Sequence, residues 1–401
     1  MDCAKAIQFY ATISAMKLST IGVLGGGQLG RMMALAAHNL GMQIAVLDPD
    51  RNAPAGQVVN RHVVGDFRDS QRIRELAVGC DILTVEIEHV NADSLDALVE
   101  QGIPVHPSPA TIRLIQDKYA QKRHLAQQGV PVAPFVAVSD AESAEAAIAQ
   151  FGLPLLLKSR FSAYDGRGNV VVRDRAELPA AVERLGGYER GLYVEQYIPF
   201  ERELAIMVAR GRDGSLALYP VVETIHHDNI LHQVIVPAPI AESIQHEAQA
   251  IAHKAIASFE GAGIYGVEMF LLADGTVLIN EIAPRPHNSG HYTIEACVTS
   301  QFEQHVRAVV GLPLGDTSLK VGAAAMLNIL GTGTDEWEAT HLPIDRALTV
   351  AGASVHWYGK TAIRAQRKVG HITIVGETHE QVQERLTFIR DGAPAPQKEQ
   401  G

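Results

Sequence analysis

The stretch Gly266–Glu281, GVEMFLLADGTVLINE, holds the two residues with the most definite chemistry, Glu268 and Glu281. Asp274-Gly275 is a favoured pair for a two-residue type I′ turn. A hairpin closed there sets Ala273 opposite Thr276 and, in the same register, Glu268 opposite Glu281. Two carboxylates then share one face of a ribbon, about 5 Å apart at Cβ, and repel unless something neutralises them. A divalent cation does so, and Mg2+ favours a few carboxylates completed by ligand phosphates. The competing reading is a solvated acidic face, against which the apolar residues flanking each carboxylate count.

Other segments are suited to anions. Gly25-Gly26-Gly27-Gln28-Leu29-Gly30 lies between a predicted strand and a predicted helix, where glycines let backbone amides approach an anion. Asp48 lies near the distance at which a dinucleotide fold keeps its ribose-binding acid. Three readings stay open here: a dinucleotide site, a structural tight turn, and contact with a phosphate or small substrate. Lys158 ends a strand ahead of Tyr164-Asp165-Gly166-Arg167-Gly168, a basic, glycine-rich loop that can fold over phosphates. Val194–Glu203 reads as a strand, a short linker and an acid opening the next strand. Backbone groups in such a linker can read a base, and the acid a ribose. Directly after Glu281 comes Pro284-Arg285-Pro286-His287-Asn288-Ser289-Gly290-His291. Histidines here, or at His226, His227 and His232, could bind a transition metal, but no tetrahedral ligand spacing is evident. Lys360, Arg364, Arg367 and Lys368 make a cationic cluster, either a solvated loop or a receptor for a substrate phosphate.

The elements that must position these residues follow from the apolar pattern. Strands at Leu18–Leu24, Gln43–Leu47, His62–Val64 and Asp81–Val85, with helices Gln28–Leu40 and Ser70–Ala77, predict a doubly wound α/β domain over about 17–115. Thr111–Gln128 reads as one helix, broken by Pro131 and Pro134. An α+β region then runs to about 315, with strands Leu155–Ser159, Val170–Val172, Leu192–Gln196, Glu203–Ala209, Leu216–Tyr219 and Val221–Glu223. It also carries helices Ala176–Leu185 and Ala241–Phe259 and the Ile264–Ile282 hairpin. Gly311–Thr317 is a second linker, and 316–392 a smaller unit with strands near Ala323–Leu330, Ser354–Trp357 and His371–Val375 and a helix Glu380–Ile389. Residues 1–16 read as an extension and 393–401 as a tail, both expected to be disordered.

The chain has 401 residues, 47% of them apolar, and a formal net charge of −11. That sign argues against nucleic acid or an anionic membrane as partner, while leaving room for a local basic pocket. No run of about 18 apolar residues offers a membrane span. Cys3, Cys80 and Cys297 match no metal motif and read as reduced thiols of a cytoplasmic protein.

In this order the motifs resemble the ATP-grasp superfamily. Gly-Gly-Gly-Gln-Leu-Gly, Tyr-Asp-Gly-Arg-Gly and Pro-Arg-Pro-His-Asn-Ser-Gly-His together resemble its N5-carboxyaminoimidazole ribonucleotide synthase family, from about Leu18 to about residue 390. The resemblance implies an N-terminal doubly wound (pre-ATP-grasp) domain, an ATP-grasp domain of two subdomains over 116–315, and a small C-terminal domain. It implies that ATP phosphorylates bicarbonate to carboxyphosphate and that the amine of 5-aminoimidazole ribonucleotide captures the carboxyl group, in purine biosynthesis. By motif position Arg113, Lys118 and Lys158 would hold ATP phosphates, beneath the Tyr164–Gly168 loop. Glu195, the Gln196–Ile198 backbone and Glu203 would hold adenine and ribose, with His226 nearby. Glu268 and Glu281 would bind Mg2+, with Asn280 adjoining. Gln28, Leu29, Glu86 and Asn288 would contact the substrate nucleotide, and Lys360, Arg367 and Lys368 its phosphate. Arg285 and His287 would hold bicarbonate or carboxyphosphate, and Asp165 would receive the amine proton. A homodimer is implied in the same way. The chain departs from many ATP-grasp enzymes at Ala283, where they carry an Asn two residues after the second metal-binding Glu.

Two other activities compete. Formate-dependent glycinamide ribonucleotide transformylase shares the fold and Pro-Arg-Pro-His, though not the Asn-Ser-Gly-His continuation. An NAD-dependent oxidoreductase would use the first glycine motif.

Overall fold

The computed structural model describes residues 19–161, 168–333, 343–361 and 363–392. The expected extension and tail, and Tyr164, Asp165, Gly166 and Arg167, lie outside the described residues.

Strands β1 (Thr20–Leu24), β2 (Gln43–Asp48), β3 (Arg61–Val64) and β4 (Ile82–Val85) form a parallel sheet in the order β3-β2-β1-β4. Ile21, Val23, Ile44, Val46 and Leu83 are buried within it, as expected of strands covered on both faces. Helices α1 (Gln28–Asn39), α2 (Ser70–Ala77) and α3 (Ala92–Glu100) accompany it. The α3 helix was not anticipated; its signal is Asn91, whose side chain caps it by accepting from the Ser94 amide at 3.1 Å. Chain order reverses between β1 and β4, which opens a crevice beyond their carboxyl ends.

The expected single helix over 111–128 is two, α4 (Pro109–Gln116) and α5 (Lys118–Gln127). Asp117 takes an extended conformation (φ −98°, ψ 100°), and its carboxylate accepts from the Tyr119 and Ala120 amides, both at 3.1 Å. Arg160 holds the same carboxylate. A local cap therefore outcompetes helix continuation. The break turns Lys118, Gln121 and Lys122 inward on the new helix, all three buried.

An antiparallel sheet follows, from β5 (Phe135–Val138), β6 (Leu155–Ser159), β7 (Asn169–Val172) and β8 (Leu192–Gln196), ordered β5-β8-β6-β7. It packs on α6 (Ala141–Phe151), also not anticipated, and on α7 (Leu178–Arg184). The rest of the chain builds a nine-stranded sheet. Its strands are β9 (Arg202–Arg210), β10 (Leu216–Leu218), β11 (Val222–His227), β12 (Ile230–Val236), β13 (Gly263–Leu271), β14 (Val277–Ala283), β15 (Ala323–Leu330), β16 (Ala353–Trp357) and β17 (Lys368–Gly376). The order is β14-β13-β9-β11-β12-β15-β17-β16, with β10 beside β9. Helices α8 (Glu242–Ala257), α9 (Thr293–Ala296), α10 (Gln301–Val310) and α11 (His379–Asp391) accompany it. The sheet crosses the expected linker at 311–317, because β15 pairs with β12, Val234 opposite Met326.

The hairpin closes differently from the expectation. Leu272 N–H donates to Thr276 O at 2.9 Å, so the loop is Ala273-Asp274-Gly275, with Gly275 left-handed at φ 89°. That three-residue turn moves the register by one near the tip, where Met269 faces Ile279. A bulge at Asn280 moves it back, and Glu268 faces Glu281 as expected.

Candidate active site

One face of the large sheet presents three acids on neighbouring strands. Glu281 on β14 and Glu268 on β13 are directly paired. Glu203 on β9 lies two residues from Ala205, the partner of Glu268, and so shares its face. Each has a cationic or imidazole neighbour. Lys118 Nζ is 3.1 Å from Glu281 Oε2, His287 Nε2 is 3.4 Å from Glu268 Oε1, and His226 Nδ1 is 3.1 Å from Glu203 Oε2. Burial, reinforced by Glu281, pushes the Glu268 carboxyl up to about 7. Burial works against a charged His226, but Glu203 outweighs it and holds the imidazole above its usual value. Asn280, the bulge residue, adjoins Glu281. Among the described residues no three of His, Cys, Asp and Glu converge as metal ligands. Two hard carboxylates that repel each other fit Mg2+, which takes phosphate and water as its further ligands, rather than zinc.

The antiparallel sheet supplies a second wall. Glu195 on β8 is buried, with Lys122 Nζ at 3.1 Å and Lys158 Nζ at 3.3 Å. Burial alone would raise the Glu195 carboxyl; the two ammonium groups outweigh it and hold it below its usual range. The carboxylate expected to hold adenine and ribose also pairs with two lysines. Lys122 was not anticipated; it stands one helical turn beyond Lys118. Gln196 ends β8 and Ile198 lies in the linker to β9, where the two sheets join. Gly168 closes the glycine-rich loop, its carbonyl accepting from the Ser159 amide at 2.8 Å. Arg113 stands apart: it is half-exposed on α4 and ion-paired with Asp93 and Asp96.

A cavity of about 550 Å³ occupies the crevice at the switch point of the parallel sheet. Gln28, Leu29 and Glu86 line it from the β1 and β4 ends. Arg285, His287 and Asn288 line it from the loop after β14, and Lys360, Arg367 and Lys368 from the C-terminal segment. Nine residues far apart in sequence thus share one pocket. Sequence reasoning missed Phe67, Arg68, Ile87 and Gln366 on the same wall. They sit in loops after strands, and only the strand order could have pointed to them.

The glycine-rich turn does not offer its amides to a ligand. The Gly27 and Gly30 N–H groups donate to the Glu86 carboxylate, and Gly26 N–H donates to Asp48 Oδ2 at 2.8 Å. A Cβ on Gly25 would lie 2.3 Å from Glu86 Cγ. The anion at this helix N-terminus is the chain's own. Asp48, occupied by Gly26 and by the Asp50 amide at 2.9 Å, is not free for a dinucleotide ribose.

Arg285 forms a fork with buried Glu88, Nε to Oε2 at 2.6 Å and Nη2 to Oε1 at 3.2 Å. The pairing keeps Glu88 ionised and fixes the guanidinium plane at the pocket wall. His287 connects the two halves of the site, since it lines the pocket and also touches Glu268. Burial, with Arg285 and Lys368 nearby, pushes it down to about 3, so the imidazole is neutral. Asn288 is held by reciprocal amide bonds with Asn328 on β15, at 3.1 and 2.6 Å.

Comparison with known proteins agrees with this layout. A model of the ribonucleotide synthetase preATP-grasp domain matches residues 18–116, one of the ATP-grasp domain 123–302, and one of the phosphoribosylaminoimidazole carboxylase C-terminal domain 324–385. The phosphoribosylaminoimidazole carboxylase of Ogataea methanolica is 50% identical over 93% of this chain and 69% of its own length. The N5-carboxyaminoimidazole ribonucleotide synthase of Synechococcus elongatus is 39% identical over 90% of this chain and 91% of its own. The crystal structure of N5-carboxyaminoimidazole synthase from Aspergillus clavatus, in complex with ADP and 5-aminoimidazole ribonucleotide, superposes with a TM-score of 0.87 at 39% identity, covering 94% of this chain and 98% of that one. With acids, lysines and pocket arranged as described, and similarity running nearly end to end, the chain belongs to the N5-carboxyaminoimidazole ribonucleotide synthase family of ATP-grasp enzymes.

Proposed function

We propose that this protein is a carbon–nitrogen ligase that carboxylates 5-aminoimidazole ribonucleotide with bicarbonate, at the cost of ATP, in purine biosynthesis. The observation that carries the reading is the junction at His287, which joins a two-carboxylate seat to a nucleotide-sized pocket. In the first half-reaction a bicarbonate oxygen attacks the γ-phosphorus, the bond to the β-phosphate oxygen breaks, and carboxyphosphate and ADP form. In the second the exocyclic amine takes the carboxyl group, inorganic phosphate leaves, and the amine gives up a proton.

The chain's residues divide this work. Lys118 and Lys158 hold ATP phosphates, with Glu281 beside the first ammonium group and Glu195 beside the second. Glu268 and Glu281 hold Mg2+, which when bound draws charge from the phosphates. Glu203 and the linker at Ile198 face the nucleoside. Arg285, charged and immobilised by Glu88, stabilises the developing carboxyphosphate dianion. Neutral His287 orients that group without adding a competing charge. Lys360, Arg367 and Lys368 receive the ribonucleotide phosphate, and Gln28, Leu29, Glu86 and Asn288 shape the ribose and ring side. Asp165 takes the amine proton. On family resemblance the protein is a cytoplasmic homodimer.

An ADP-release assay tests the reading. ADP should appear with bicarbonate and rise sharply when aminoimidazole ribonucleotide is added. Release driven by formate and glycinamide ribonucleotide instead would transfer the assignment to the transformylase.

A further inference from the structure

Three buried glutamines make the same contact with three different peptides. Gln121 on α5 donates Nε2–H to Ile282 O at 2.9 Å and accepts from Ile282 N–H at 3.0 Å. Gln301, first residue of α10, donates to His287 O at 2.8 Å and accepts from His287 N–H at 3.0 Å. Gln304, one turn later, does the same to Gly315, at 2.9 and 2.7 Å. All three side chains are at most 2% exposed. In each case the primary amide satisfies both the N–H and the C=O of one residue, for Ile282 on the open edge of its strand and for His287 and Gly315 in loops. The first two gripped residues adjoin or belong to the site: Ile282 follows Glu281, and His287 bridges Glu268 and the pocket.

We propose that Gln121 and Gln301 are positioning residues for the ligase reaction, setting the places of Glu281 and His287 by clamping their backbones. The inference rests on the roles given above to Glu281 and His287. β14 is the outer strand of its sheet, and among the described residues its open edge meets α5 through Gln121 and the Val132 bridge at Ile279. Helix α5 touches it twice, through Lys118 on the Glu281 side chain and Gln121 on the next peptide. The same helix reaches the antiparallel sheet through Lys122 and Glu195. Gln121 therefore fixes one of the two walls of the nucleotide cleft relative to the other. Gln301 also meets His291 Nδ1 at 3.2 Å and, through its own amide, Thr293 Oγ1 at 2.9 Å, so it holds the His287–His291 loop at both ends.

Gln304 is the built-in control, because its clamp lies on Gly315, outside the residues assigned to the site. Methionine keeps the shape and removes both bonds, so a purely structural role predicts that Gln121→Met, Gln301→Met and Gln304→Met behave alike. The proposal predicts similar losses of melting temperature in all three but a fall in kcat of about 100-fold only in the first two, the cost of a misplacement on the order of 1 Å. Electron paramagnetic resonance of Mn2+ with ADP should show weakened binding in Gln121→Met and unchanged binding in Gln304→Met. Gln121→Glu and Gln301→Glu, which retain the acceptor, should recover part of the rate and serve if a methionine variant does not fold. Equal kcat in all three methionine variants overturns the clamps while leaving the site standing. Unchanged Mn2+ binding in Glu281→Gln would instead remove the metal seat on which the inference rests.

Discussion

Lowering the pH should loosen the junction between the N-terminal domain and the large sheet, through His305. This residue of α10 is fully buried. Its Nδ1 accepts from the Ile264 amide at 3.0 Å, and its Nε2 lies 2.8 Å from Thr84 Oγ1 on β4. The neutral ring with its proton on Nε2 satisfies both partners; a second proton would face the Ile264 N–H. Burial, helped by His106, accordingly pushes the ring down to about 3, from 6.5 in the unfolded chain. With the folded value depressed, the unfolded state takes up the proton first, so stability is complete above 6.5 and drains away as pH falls towards 3. Between pH 7.5 and 5.5 the unfolded population of charged rings alters the balance by a factor of about 10, or about 1.4 kcal/mol. Urea unfolding of wild type and His305→Gln at both pH values isolates this contribution from that of other histidines. The wild type should lose about 1.4 kcal/mol more than the variant over that interval. Equal losses in the two proteins would refute the argument.

Further outcomes follow from the site. Glu281→Gln should lower ATP turnover roughly 100- to 1000-fold with circular dichroism near wild type and a smaller loss of melting temperature than Glu195→Gln, because the change relieves Glu268 but takes a counter-ion from buried Lys118, which keeps Glu88. Glu195→Gln leaves Lys122 and Lys158 buried without their counter-ion and should destabilise the protein by about 3 kcal/mol in urea. Lys368→Met should raise KM for the ribonucleotide at least about tenfold with kcat little changed, since a phosphate contact remote from the reacting carbon binds ground and transition states alike. A kcat-dominated loss in that variant would move Lys368 from the phosphate to the chemistry.

Much of the active site could be read from the chain because its pieces are local. The pairing of Glu268 with Glu281 depends on strand alternation across one hairpin, and it survived an error about the turn only because the bulge at Asn280 compensated. Parity is forgiving in this way: two single-residue shifts restore the same face. The strand at Leu155–Ser159 and the helix at Ser70–Ala77 agree with the expectation to the residue, and the structure adds the Asp69 carboxylate that caps the helix by accepting from the Gln71 amide. The break at Asp117 was missed because the helical pattern runs on through it, and the cap that interrupts the helix is reinforced by Arg160, which lies well along the chain.

From sequence alone came the fold class, the family, the pairing of Glu268 with Glu281 and the cationic cluster, because residue type and short spacing determine those. Partnership was settled only in three dimensions. The glycine turn binds Glu86, Glu195 serves two lysines, Arg113 turns to Asp93 and Asp96, and Arg285 locks to Glu88. Each of these is a choice among several charges that could neutralise one another. The choice is made by which strands and helices pack together, since a buried charge must take whatever counter-charge the fold brings within about 3 Å.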